Sequence, residues 1–291
     1  MKPIEVHLVK FAEHLTLLNS PDATKKTYLR SLKMYLAYCV KTYHANPIQE
    51  IVVRNYLLDR YSKGLDWKTI NCDYSALKKY FTEVMKSAWS IDNLPRPKKA
   101  TELPDIISRE EVQLVIDHCA KPKHRVLLTF LYATGMRISE AIEVRVNDID
   151  SHRLTIKVRG GKGMKDRYVD VPKELIELLR EYYKIYRPID RLFYGESIMA
   201  DLKQRTIQNA VNRAKKRAKI IHDVSPHTFR HCYATHHMEN GTKIVYIQKM
   251  LGHKSLKTTS IYLHLCVNFQ QTTIKHPMQG LNLGSMKSMK I

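Results

Sequence analysis

The stretch IDNLPRPKKATELPD, residues 91–105, divides this chain. Its three prolines, Pro95, Pro97 and Pro104, work against a continuous helix, and it has no apolar periodicity. It reads as an extended linker, so the patterns on either side fold as separate units. Before it, Ile4, Leu8, Phe11, Leu15 and Leu18 recur at helical steps, and Leu29, Leu32, Leu36, Cys39 and Tyr43 do nearly the same after the turn signal NSPD. IVVRNYLLDRY and TINCDYSALKKYFTEVM add two more helical stretches. The expectation is a helical bundle over residues 1–95 and a linker over 96–104.

The second unit opens on a capping box, Ser108 with Glu111, and continues through VLLTFLYATG, a helix that stops at Gly135. Another helix begins near Ser139. HRLTIKVRGGKGMKDRYVDVP alternates apolar and polar residues around a glycine-rich turn, a β-hairpin signal with Lys162 at or near its tip. Helices resume at PKELIELLREYYKIY, with Pro172 in the first turn, and at the strongly basic TIQNAVNRAKKRAK. Ser225-Pro226 opens the next helix, Asn240-Gly241 ends it, and two short helices carry IVYIQKMLGH and SIYLHL. The fold expected is mainly α: a helical bundle, then a mainly helical domain over 105–267 with a small antiparallel sheet, then a polar tail over 268–291.

With 44% hydrophobic residues the chain can bury a core, and its 49 Lys and Arg against 28 Asp and Glu leave a formal charge of +21. So large a surplus points to a polyanion, with nucleic acid ahead of an anionic membrane surface. The basic residues lie on folded stretches such as YLRSLKMYLAYCVK, NRAKKRAK and RGGKGMKDR, which suits a surface that grips phosphates. The five cysteines are scattered without a CxxC pair, so neither a disulfide framework nor a thiolate zinc site is expected. No apolar run approaches the roughly 18 residues of a membrane span, and His, Lys and Glu interrupt the N-terminus. A cytoplasmic location is expected, with no role for a membrane.

Chemistry concentrates in SPHTFRHCYATHH, residues 225–237. His227 and His231 stand at i and i+4, the spacing for a shared zinc ion, but Thr228 occupies the glutamate position of HExxH. Arg230 falls on the same face, where a guanidinium repels a cation and attracts a phosphate. Ordinary solvated or core histidines remain an equal alternative for this stretch alone. Elsewhere ATGMRISEA places Arg137 just after a glycine turn, MLGHKS places His253 after another, and SIYLHL carries Tyr262.

Together, in this order, these residues resemble the tyrosine recombinase family of phage integrases and Xer proteins. The matching positions are Arg137 with Glu140, Lys162 in the hairpin, His227 and Arg230 as H-x-x-R, His253 in LGH, and Tyr262. The resemblance covers roughly residues 100–267. It implies a SAM-like core-binding domain that clamps double-stranded DNA against a catalytic domain. It further implies a homotetramer on two DNA sites, a Holliday-junction intermediate and accessory DNA-bending proteins, with the tail serving protomer contacts. His231, His236 and His237 receive no role from it.

The chemistry expected follows from the side chains. Tyr262 attacks phosphorus and stores the bond as a 3′-phosphotyrosine, with His227 as its base because a phenol of pKa ~10 is protonated at neutral pH. Arg137 and Arg230 meet the charge on the phosphoryl oxygens, with a hydrogen bond from His253, and no metal or other cofactor is expected. Lys162 protonates the leaving 5′-oxygen, and Glu140 orients Arg137. The alternatives are a type IB topoisomerase and a non-catalytic DNA-binding regulator.

Overall fold

The computed structural model describes residues 3–43, 50–87, 104–159 and 166–265. Contacts divide the chain into two compact units, Met1–Thr101 and Glu102–Ile291. Lys162 and residues 268–291 lie outside the described residues. The architecture is mainly helical with one small antiparallel sheet, as the sequence leads one to expect.

In the first unit α1 (Pro3–Leu17), α2 (Asp22–Tyr43), α3 (Glu50–Ser62) and α4 (Trp67–Lys79) surround one core. Asn19 in the NSPD turn takes a left-handed conformation, φ 48°, which ends α1. Leu18 therefore falls beyond the helix and is exposed rather than joining the apolar stripe. Phe11, Leu15, Leu32, Tyr35, Val53, Leu77 and Phe81 are buried, and Tyr35 meets Tyr56 and Phe81 edge-on at 5.4 and 5.9 Å between centroids. Asp66 caps α4 by accepting a hydrogen bond from the Lys68 amide. Beyond Lys79 the helix widens into a π-helical turn, Tyr80–Val84, which periodicity alone does not distinguish from α-helix. Asp73 is buried here; it accepts from Ser31 Oγ at 2.6 Å and from Arg60 Nε at 3.0 Å.

The second unit opens with the Ser108–Glu111 capping box at α5 (Arg109–Asp117). α6 (Pro122–Thr134) is buried along its whole second half, from Val126 to Thr134, and forms the spine of the core. It stops at Gly135, φ 60°, where an added Cβ would lie 2.4 Å from the Tyr233 ring. Only glycine satisfies both the turn and that approach. α7 (Ile138–Ala141) follows at once. The sheet has the order β1 (Ile149–Asp150), β2 (Thr155–Val158), β3 (Arg167–Asp170), with Ile156 opposite Val169 and Val158 opposite Arg167. Pro172 serves as N-cap to α8 (Lys173–Tyr186) rather than standing inside its first turn. α9 (Gln204–Arg217) buries Ile207, Val211 and Ala214 and turns Arg213, Lys216 and Arg217 outward. α10 (Pro226–Glu239) packs against α6, and α11 (Ile244–Leu251), α12 (Leu256–Thr259) and a 3₁₀ turn (Ser260–His264) complete the unit. Among the described residues, no helix is long and apolar enough to cross a membrane.

Candidate active site

The glycine stop at the end of α6 delivers Arg137 to the N-cap of α7. Glu140, at the third helical position, accepts the Arg137 amide at 2.9 Å with one oxygen and Arg137 Nη1 at 2.9 Å with the other. The same carboxylate receives a two-pronged hydrogen bond from Arg167 on β3, at 3.0 and 2.8 Å. Burial alone would raise the Glu140 pKa; the Arg167 hydrogen bonds, the Arg137 amide and both guanidiniums bring it down to about 2. Glu140 thus holds two arginines that come from distant parts of the chain.

Ser225 caps α10 and accepts from the His227 amide at 3.2 Å. Helical spacing then sets His227, Arg230 and His231 on one face. Arg230 is 1% exposed; its Nη1 donates to Gly135 O and its Nη2 to Leu251 O, both at 2.7 Å. Those carbonyls stand at the C-terminal ends of α6 and α11, where partial negative charge collects, which offsets the cost of burying a guanidinium. Burial, then the neighbouring Arg137, lowers the Arg230 pKa to about 10, so it stays charged at neutral pH. Its distance to Glu140 is 3.9 Å.

Gly252 ends α11 at φ 66°, and a Cβ there would lie 2.9 Å from Arg167 Cδ, so the glycine of LGH leaves room for the arginine that clamps Glu140. His253 follows. Its Nε2 lies 3.1 Å from Arg230 Nη2 and its Nδ1 2.9 Å from Thr259 Oγ1. A guanidinium only donates, so Nε2 accepts and the ring proton sits on Nδ1, given to Thr259. Burial, then Arg230, Arg137 and Arg167, lowers the His253 pKa to about 4.

Tyr262, in the 3₁₀ turn, is 2% exposed and packs with Tyr233, Ala234, Met238, Ile247 and Leu251. Its ring is parallel to that of His253, with centroids 6.5 Å apart. Its hydroxyl lies 3.0 Å from Nδ1 of His231. Burial raises the Tyr262 pKa, and Arg230 and Arg137 pull against that rise. His227 packs edge-on against His231, with centroids 4.5 Å apart; although the residue is exposed overall, crowding of its ring, then Arg230 and Arg137, lowers its pKa.

The structure therefore brings together Arg137, Glu140, His227, Arg230, His253 and Tyr262. Two neighbours were given no role at the site from sequence. Arg167 is the last residue of RGGKGMKDR, and only the strand pairing shows that it faces Glu140. His231 shares the helical face of His227 and Arg230, and that spacing was the available signal. Among the described residues, no group of three or more His, Cys, Asp or Glu is placed to hold a metal ion.

A carboxylate among guanidiniums lies beside a buried tyrosine in a basic, two-unit helical chain, an arrangement suited to an anionic partner. Residues 105–268 match the phage integrase family, and residues 8–91 match the N-terminal SAM-like domain of phage integrases. A putative integrase/recombinase of Sinorhizobium fredii is 34% identical over 261 residues, 89% of this chain and 84% of the relative. Tyrosine recombinase XerA of Pyrococcus furiosus is 32% identical, with 88% of each chain covered. XerH site-specific recombinase bound to palindromic difH substrate shares the fold at TM-score 0.72 and 23% identity, over 86% of this chain and 78% of that one. A lambda integrase dimer bound to a core site does so at 0.73 and 15%, over 93% and 80%. The chain belongs to the phage integrase family and is a tyrosine recombinase, an enzyme that cleaves and rejoins DNA.

Proposed function

We propose that this chain is a site-specific recombinase in which Tyr262 attacks the scissile phosphate and forms a transient 3′-phosphotyrosyl link. The observation that carries the reading is the charge balance around Glu140: one carboxylate lies within 3.9 Å of Arg137, Arg167 and Arg230, with Tyr262 packed against the helix that bears Arg230. Positive charge in excess of its internal partner is what a phosphoryl group with developing negative charge needs. Arg137, with its side chain 27% exposed, and Arg230 bind the non-bridging oxygens, and His227 lines the same face. When phosphate takes over Arg230 Nη2, His253 Nε2 is released; the phosphate's charge raises that imidazole's proton affinity, so it becomes a donor. Lys162 protonates the leaving 5′-oxygen.

Residues 1–95 clamp double-stranded DNA against the catalytic domain over 105–267, and residues 96–104 connect them. Four protomers act on two DNA sites through a Holliday junction, residues 268–291 contribute to protomer contacts, and accessory proteins bend the DNA. The reaction takes place in the cytoplasm, on the nucleoid, and needs neither a metal nor ATP.

The test is a nicked duplex carrying a sequence enriched from a randomised pool by binding to the full chain. A covalent protein–DNA adduct should form in excess EDTA and map to Tyr262, and Tyr262→Phe should bind the duplex yet form none. Loss of cleavage in EDTA that returns with magnesium or zinc refutes the arginine-based chemistry. Supercoil relaxation without strand exchange between two duplexes refutes recombination.

A further inference from the structure

The four histidines of α10 separate by what they touch. His236 hydrogen-bonds Tyr132 at 2.7 Å and His237 lies 3.2 Å from Thr242 Oγ1, both buried in the core. His227 reaches the surface. His231 is the one whose ring nitrogen meets the hydroxyl of Tyr262, at 3.0 Å, with His227 packed edge-on against it. We infer that His231 is the catalytic base that takes the proton of Tyr262, and that His227 supports it from the adjoining turn of the helix. This rests on the reading of Tyr262 as nucleophile and changes the base expected from sequence.

The geometry meets the requirement for proton transfer, a heavy-atom separation within hydrogen-bond reach. The groups facing His231 are His227 and Arg230 on its own helix, His253 from the turn before α12, and Tyr262 from the 3₁₀ turn. Burial, then His227, Arg230 and His253, lowers its pKa to about 4, so the imidazole is neutral at neutral pH. With its proton on Nε2, the neutral ring offers the Nδ1 lone pair to the Oη–H. Transfer waits for attack, because a weak base gains the proton only as the Oη–P bond forms and the phenol becomes more acidic. In that step Oη bonds to phosphorus, the Oη–H proton passes to Nδ1, the bond from phosphorus to the 5′-oxygen breaks, and that oxygen takes a proton from Lys162. On rejoining, an incoming 5′-hydroxyl gives its proton to the now neutral Lys162 and bonds to phosphorus, the Oη–P bond breaks, and Oη recovers its proton from Nδ1.

The experiment measures single-turnover adduct formation against pH on the nicked duplex described above and on one with sulfur in place of the bridging 5′-oxygen. His231→Asn keeps a hydrogen-bonding atom near the Nδ1 position but cannot take the proton. It should bind DNA as wild type does, cleave both substrates ~10²-fold or more slowly, and lose the acidic limb of the pH profile, on which the rate falls as the base protonates. Lys162→Ala should recover on the sulfur substrate and His231→Asn should not. His231→Asn within threefold of wild type, with an unchanged profile, overturns the inference. A second measurement changes no histidine: 3-fluorotyrosine, a more acidic phenol, is placed at position 262. The acidic limb should stay at the same pH, because it belongs to His231; a limb that moves with the phenol overturns the inference. A wild-type adduct mapping to another tyrosine overturns the proposed function itself, whereas a Tyr262 adduct formed at full rate by His231→Asn overturns only the base.

Discussion

Each unit of this protein buries a carboxylate against arginine, and the two arrangements balance differently. Asp73, in the N-terminal unit, meets one guanidinium, Arg60, and one hydroxyl, Ser31. Charge there is matched one to one. Glu140, in the catalytic unit, meets Arg137 and Arg167 at hydrogen-bond distance and Arg230 at 3.9 Å, which leaves two positive charges over. A network whose task is to fix helices cancels its own charge, because an unbalanced buried charge is costly. A network left unbalanced is completed by something outside the chain, and in the proposed reaction that is the scissile phosphate.

Four measurements test this contrast. Arg230→Lys keeps the charge but cannot span Gly135 O and Leu251 O as the planar fork does; the single-turnover cleavage rate should fall ~10²–10³-fold while DNA affinity changes little. A rate within tenfold of wild type breaks the claim that geometry as well as charge is needed. Glu140→Gln leaves the arginines without their common anchor, and cleavage should slow ~10–100-fold in the same assay, the range seen when groups that orient functional side chains are replaced.

The third measurement is thermodynamic. The Glu140 pKa of about 2 lies below its ordinary carboxyl value, so its stabilising contribution is fully present above about pH 4.5 and is lost as pH falls toward 2. The difference in unfolding free energy between wild type and Glu140→Gln should be about 3 kcal/mol at pH 6 and should close near pH 2, followed by denaturant melts across that window. A difference that does not vary with pH shows that shape rather than charge is at stake. Last, Asp73→Asn should leave the rate of the bound complex unchanged, even though removing one partner of a buried pair costs the N-terminal unit roughly 3–5 kcal/mol. A chemical step slowed more than threefold erases the distinction between the two networks.

The helices, the capping box at Ser108, the glycine stop at Gly135 and the hairpin pairing of β2 with β3 were legible, because each is written in adjacent residues. So were the residues gathered at the site, through H-x-x-R, LGH and the tyrosine that follows. What was not legible depends on distant residues meeting. The strand β1, only two residues long, gains its identity from pairing with β2, and the π-helical turn at Tyr80–Val84 has no distinct period to read. Arg167 becomes important because β3 carries it to Glu140 across a space that Gly252 leaves open. His231 looked like His236 and His237 until α12 and its 3₁₀ turn brought Tyr262 against it.

Tyr262 comes after every other member of the cluster in chain order, and its pocket is lined by α10 and α11, both made before it. During synthesis the arginines and Glu140 emerge first and the proposed nucleophile emerges last. On the reading of Tyr262 as nucleophile, a chain that stalls or is clipped before this turn still carries the arginines and Glu140 but lacks the group that breaks a strand, so synthesis completes the cutting function last.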